Sequence, residues 1–294
     1  MQVLEADVCP KVSQATPDDL SSVLALGTRH RRRVLGVPGR LSAERANNAA
    51  FLAGGVNVST SKKLVSEAVG TAFLLATVVG SGIMGERLAG GNVAIALLAN
   101  TIATGAGLVA LILTFGPIGG AHFNPVVTLA DAWEGGTSWR DVPGYFAAQL
   151  LGAVIGVLVA HTMFGEAAFT ASQHVRAGAS QLFSEFVATF GLLSVIWGVS
   201  RRNGQYTPFA VGAYITAAYW FTASTSFANP AVTIARSLTN TFAGIRPADA
   251  PGFIAAQVAG ALAATALFKF LVPKASVKVE ASSVDASGVE KEAA

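Results

Sequence analysis

The chain has 294 residues, 52% hydrophobic and 13% charged, with a formal charge of +3 at neutral pH. A charged share about half that of an ordinary soluble domain argues against two soluble domains and for one polytopic membrane bundle. Basic residues cluster at loops and termini, so the charge bears on topology and not on nucleic acid, and the lone Cys9 excludes a disulfide framework or a cysteine metal site.

Residues 1 to 61 form a separate zone with Pro10, Pro17, Pro38, the acids Asp18-Asp19 and the basic run Arg29-His30-Arg31-Arg32-Arg33. No apolar run here resembles the core of a signal peptide, so this zone reads as a largely disordered cytoplasmic extension. Its arginines read as an orientation signal that contacts anionic lipid headgroups. Aromatic residues are not interleaved with them, which counts against a nucleic-acid tail.

Six long apolar segments follow, each predicted to cross a bilayer: about 64–84, 93–115, 145–164, 182–200, 209–223 and 253–272. Between the second and third lies Gly119-Gly120-Ala121-His122-Phe123-Asn124-Pro125-Val126-Val127-Thr128. Between the fifth and sixth lies Ser226-Phe227-Ala228-Asn229-Pro230-Ala231-Val232-Thr233. Asn suits an N-cap, and Pro suits the first helical position, where a missing N–H costs nothing. Each Asn-Pro therefore starts a helix: Pro125 to about Trp133, and Pro230 to about Thr239. Nine or ten residues reach roughly 15 Å, half of a hydrocarbon core about 30 Å thick. Two such half-helices from opposite sides make one span, with their N-termini meeting at mid-membrane.

The halves also match in sequence. Glu67-Ala68-Val69-Gly70-Thr71 corresponds to Glu185-Phe186-Val187-Ala188-Thr189, and Tyr145-Phe146-Ala147-Ala148-Gln149 to Phe253-Ile254-Ala255-Ala256-Gln257. Three spans and a half-span, twice over, make an inverted repeat: about 62–164 and 181–272 within a channel domain of 62–272. Lys62-Lys63, Arg140, Arg201-Arg202, Lys274 and Lys278 fall on one side of this plan. Both termini, including a disordered tail over 273–294, are therefore expected in the cytoplasm. Small residues such as Gly105, Gly107, Gly152, Gly156 and Gly260 allow close helix packing.

The two Asn-Pro segments inside a duplicated six-span chain resemble the major intrinsic protein (aquaporin) family over about residues 62 to 272. The resemblance implies an all-α membrane fold, with six transmembrane helices and two re-entrant half-helices. It implies a homotetramer in the cell membrane that passes water and small neutral solutes, with no catalytic residues, no metal and no cofactor. Asn124, Pro125, Val126, Asn229, Pro230 and Ala231 become the pore motifs. The constriction maps to Thr104, Ser226, Val232 and a fourth position near Ala217 or Tyr219. The family commonly has Arg where this chain has Val232. Three small side chains should leave that constriction wider and less polar than a water-only filter, which favours glycerol, urea or undissociated metalloid acids alongside water.

Physical chemistry points the same way. Non-helical backbone at membrane depth must line a cavity or be buried in protein. Two helix N-termini facing each other repel cations, hydronium included. The Asn124 and Asn229 amides can donate to a passing oxygen and orient it, which interrupts proton hopping. Several residues carry two readings. Glu67 and Glu185 are either proton-relay groups or acceptors that brace the half-helix loops. His122 is either a ligand or proton carrier, or a hydrogen-bonded brace, with no second His, Cys or acid at ligand spacing. Arg236 is either a displaced filter residue or a cation that complements the helix dipole and snorkels to headgroups. The competing function is a secondary active transporter, which shares inverted repeats and broken helices.

Overall fold

In hydrocarbon each backbone N–H and C=O must find its partner within its own segment, so long apolar runs fold as helices. A computed structural model describes residues 58–272, and among them there are eight α-helices and no strand. They are α1 (Thr60–Leu88), α2 (Val93–Gly119), α3 (Pro125–Trp133), α4 (Val142–Phe164), α5 (Ala179–Asn203), α6 (Thr207–Phe221), α7 (Pro230–Arg236) and α8 (Ala250–Leu271). The expectations for 1–57 and 273–294 fall outside the described residues.

Among the described residues five apolar stretches are long enough to cross a membrane. One of them, Ala179–Phe221, runs to 43 residues and holds both α5 and α6, broken by a 3-10 turn at Gly204–Tyr206. Helix α6 has 15 residues and rises roughly 22 Å, so it is the short member of the set. Its short length leaves room for the re-entrant loop that follows it.

The ends of the elements follow local chemistry. Asn92 starts α2, its Oδ1 accepting from the amides of Ala94 and Ile95. Gly120 ends α2 at φ +92°, the left-handed conformation that glycine adopts without a Cβ clash. The second half-helix stops at Arg236, three residues short of the predicted Thr239. Its last turn tightens, with Ser237 N donating to Ile234 O and Leu238 N to Ala235 O, and the chain then leaves the helix. The Ser237 and Leu238 carbonyls instead accept from Ser172 and Thr170 in the α4–α5 connection.

Equivalent helices pair in the two repeats, α1 with α4 and α5 with α8. A methyl at Gly152 would overlap the Ala68 carbonyl, one at Gly156 the Ala72 carbonyl, and one at Gly260 the Phe186 carbonyl. Gly105 and Gly212 face each other where α2 meets α6, which joins the repeats. Close backbone approach at these points draws the bundle around the two half-helices.

Candidate functional site

Asn124 and Asn229 each cap their own helix and reach across to the other repeat. The Asn124 Oδ1 accepts from Val126 N at 3.1 Å, and the Asn229 Oδ1 accepts from Ala231 N at 2.9 Å and Val232 N at 3.3 Å. Asn124 Nδ2 donates to Ala228 O, and Asn229 Nδ2 donates to Phe123 O, both at 2.8 Å. The two half-helix N-termini therefore meet through a reciprocal pair of bonds. Each amide spends one N–H on this pair, so one N–H per asparagine remains to face the cavity beside them.

The loops that carry these asparagines are strained. Ala121 and Phe123 in the first, and Thr225, Ser226 and Ala228 in the second, all have φ between +50° and +60°. Non-glycine residues hold such backbone only when their surroundings over-determine it. The fully buried Glu67 does so in repeat one, accepting from His122 N (2.8 Å), Phe123 N (2.7 Å) and Gln149 Nε2 (2.8 Å). Glu185 repeats the pattern with Phe227 N (2.9 Å), Ala228 N (2.9 Å) and Gln257 Nε2 (2.6 Å). Each glutamine amide also donates to the half-helix threonine, Thr128 or Thr233, at 2.9 Å. The sequence offered the glutamines only as a repeat landmark; their recurrence beside a buried acid was the signal of a role.

A cavity of about 250 Å³ runs past both asparagines. At one end it is lined by Thr104, Tyr219, Ser226, Val232 and Arg236, together with Phe227. Tyr219 OH donates to Thr104 Oγ1 at 3.2 Å. Ala217, the alternative fourth position, is exposed on the far face of α6 and does not line the cavity. Arg236 does not snorkel: it is 2% exposed, its Nε donates to Ala243 O, and its guanidinium lies 3.4 Å from the Phe227 ring centroid. Tyr219 and Arg236 make this end bulkier and more polar than Thr, Ser and Val alone imply. Arg176, on the α4–α5 connection, approaches the same ring at 5.1 Å. Burial pushes its guanidinium below the ordinary value.

At the opposite end the cavity is lined by Trp197, Ser200, Thr207, His122 and Asp131. His122 Nδ1 sits 3.1 Å from Thr128 Oγ1, and its Nε2 lies 3.8 Å from Asp131 Oδ2. Asp131 thus stands near His122, though beyond hydrogen-bond distance. Asp131 stands one helical turn beyond Val127, a cavity residue, and that spacing was the available signal. Among the described residues no three His, Cys, Asp or Glu side chains gather as a metal site. Beside this mouth Glu134, at the end of α3, receives Arg201 at 2.6 Å and Lys269 at 3.2 Å, tying α3 to α5 and α8.

Five long helices, the shorter α6, two abutting half-helices and a cavity along their junction define the class: a multi-pass membrane channel. The sequence pattern described as "Major intrinsic protein" matches residues 55–226 and 202–294. The chain belongs to the major intrinsic protein family, and so is a passive channel for water and small solutes and not an enzyme; the active-transporter alternative is not favoured. It is 52% identical over 214 residues to the aquaglyceroporin AqpS of Rhizobium meliloti (strain 1021), covering 73% of this chain and 91% of that one. It is 32% identical over 203 residues to aquaporin NIP1-1 of Oryza sativa subsp. japonica, covering 67% and 70%. The X-ray structure of the aquaglyceroporin from Plasmodium falciparum matches with a TM-score of 0.59 at 19% identity, covering 73% of this chain and 98% of that chain, a likeness of fold.

Proposed function

We propose that the channel passes glycerol and other small uncharged solutes, such as urea and undissociated metalloid acids, alongside water, and excludes protons and ions. The observation that carries this is the reciprocal Asn124–Ala228 and Asn229–Phe123 pairing beside the cavity. A solute oxygen passing there accepts from the remaining amide N–H groups, while the facing helix N-termini oppose cations. Val232 frees space at its own step of the half-helix while Tyr219 and Arg236 narrow the end beside it, and the aquaglyceroporin relative supports solutes larger than water. Thr104, Tyr219, Ser226, Val232 and Arg236 act as the constriction; Glu67, His122 and Glu185 brace the loops.

The basic residues support cytoplasmic termini in the cell membrane, which places the Arg236 end outside. Family resemblance supports a homotetramer with one conduit per subunit, set in membrane lipid. The test is stopped-flow light scattering on proteoliposomes under water, glycerol and urea gradients, with electrical recording in parallel. Solute flux without current is expected. An ohmic ion conductance would defeat the exclusion mechanism, and flux that follows a proton or sodium gradient would favour coupled transport.

A further inference from the structure

The Arg236 end of the cavity holds more positive charge and more unused donors than the passage of neutral solutes requires. Two guanidiniums, Arg236 and Arg176, lie against the one Phe227 ring. Neither forms an ion pair among the described residues. Arg176 is held by carbonyls, donating from Nε to Gly244 O at 2.9 Å and from Nη1 to Ser224 O at 3.2 Å. Among the described residues Arg236 has one hydrogen bond, from Nε to Ala243 O, which leaves both its terminal nitrogens for the cavity it lines. Glu185 braces the same loop, but its oxygens are occupied by two backbone amides and Gln257. Ser226, 3% exposed, lines the same cavity, and its Oγ has no hydrogen-bond partner among the described residues.

Glu185 supplies negative charge nearby but pairs with neither guanidinium, so the fork of Arg236 keeps its terminal donors, and a planar fork matches the oxygens of an oxyanion better than a spherical ion. We infer that Arg236 and Ser226 form a binding site for a small monovalent oxyanion, with Arg176 and Phe227 as positioning residues. The fork of Arg236 takes two of its oxygens and the Ser226 hydroxyl donates to one. Asp131 lines the opposite end and repels an anion that advances, so the anion binds without passing. Bound there, it stands in the path of neutral solutes. This rests on the reading of the cavity as the conduit.

Nitrate is the probe, because it is planar, fully ionised and no substrate for the neutral-solute path. Glycerol flux into proteoliposomes is measured with sodium nitrate or sodium chloride at equal ionic strength, alongside calorimetric titration of nitrate into the solubilised full chain. The expected result is saturable inhibition of flux by nitrate, weaker inhibition by chloride, and no added current. Arg236→Gln and Ser226→Ala should each raise the nitrate concentration for half-inhibition, Arg236→Gln by about tenfold or more. Arg236→Lys, which keeps the charge and loses the fork, should fall between wild type and Arg236→Gln. Glycerol flux indifferent to nitrate, or equally inhibited by chloride, would overturn the site while leaving the channel reading intact. Absence of glycerol flux in salt-free buffer would count against the conduit instead, and the calorimetric titration would then decide the site: heat lost in Arg236→Gln supports it, and no heat in the wild type refutes it.

Discussion

Replacing Glu185 with glutamine tests the loop-bracing geometry with almost no change of shape. The carboxylate is fully buried and accepts from Phe227 N, Ala228 N and Gln257 Nε2. A glutamine side chain keeps one acceptor oxygen, so its NH2 must face a backbone N–H that then has no partner. One hydrogen bond to a charged acceptor is worth about 1.5–3 kcal/mol, and a buried unsatisfied donor costs a similar amount, so the loop should weaken by about 2–3 kcal/mol. That loop holds Thr225, Ser226 and Ala228 at φ of +50° to +60°, a conformation with strain of its own to release. At about 1.4 kcal/mol per decade, the population with the loop displaced should rise about 30- to 150-fold. Glu67→Gln should behave alike, because its three bonds have nearly the same lengths. The assay is thermal unfolding in detergent together with solute flux in proteoliposomes. Wild-type stability and flux in both variants would refute the bracing argument, and a variant of wild-type stability with altered proton coupling would favour the relay.

Val232→Arg should slow glycerol and urea more than water in stopped-flow measurements, because it adds bulk and a cation beside Arg236; an unchanged solute profile would show that position 232 does not face the conduit. Arg201→Ala removes one member of a pair whose side chains are 6% and 4% exposed, and should lower unfolding stability by about 3 kcal/mol, near the low end for breaking a buried pair because Lys269 still meets Glu134. Outside the spans, the hydrogen bond from Arg246 holds the Asp249 carboxyl below its ordinary value of 3.8. Because that pKa is lowered, its stabilisation is complete above pH 3.8 and lost as pH falls through the folded value, so melting curves of wild type and Asp249→Asn should converge only below pH 3.8.

What could be read along the chain was whatever a local pattern encodes. Asn before Pro in apolar sequence foretold both half-helices, and the start of each and the end of the first at Trp133 agree with the structure. The end of the second did not, because it is fixed by Thr170 and Ser172 bonding to the Leu238 and Ser237 carbonyls, partners far away in sequence. The same distinction separates the site residues. Glu67 and Glu185 stood out because a carboxylate within an apolar run is conspicuous, whereas Gln149 and Gln257 are unremarkable until each is seen donating to that carboxylate and to a half-helix threonine.

The Arg236 end shows how one substitution can be answered elsewhere in a fold. With Val232 after Asn229-Pro230-Ala231, the backbone offers no cation at that step of the half-helix. Arg236 comes one turn later on the same face, and the chain turns back at Ser237, so Ala243 O lies within reach of its Nε and Phe227 lies under its plane. Position 232 set the vacancy, and the one-turn spacing from it puts the last-turn arginine of α7 on the cavity face, where the turn at Ser237 brings the Ala243 carbonyl to hold it.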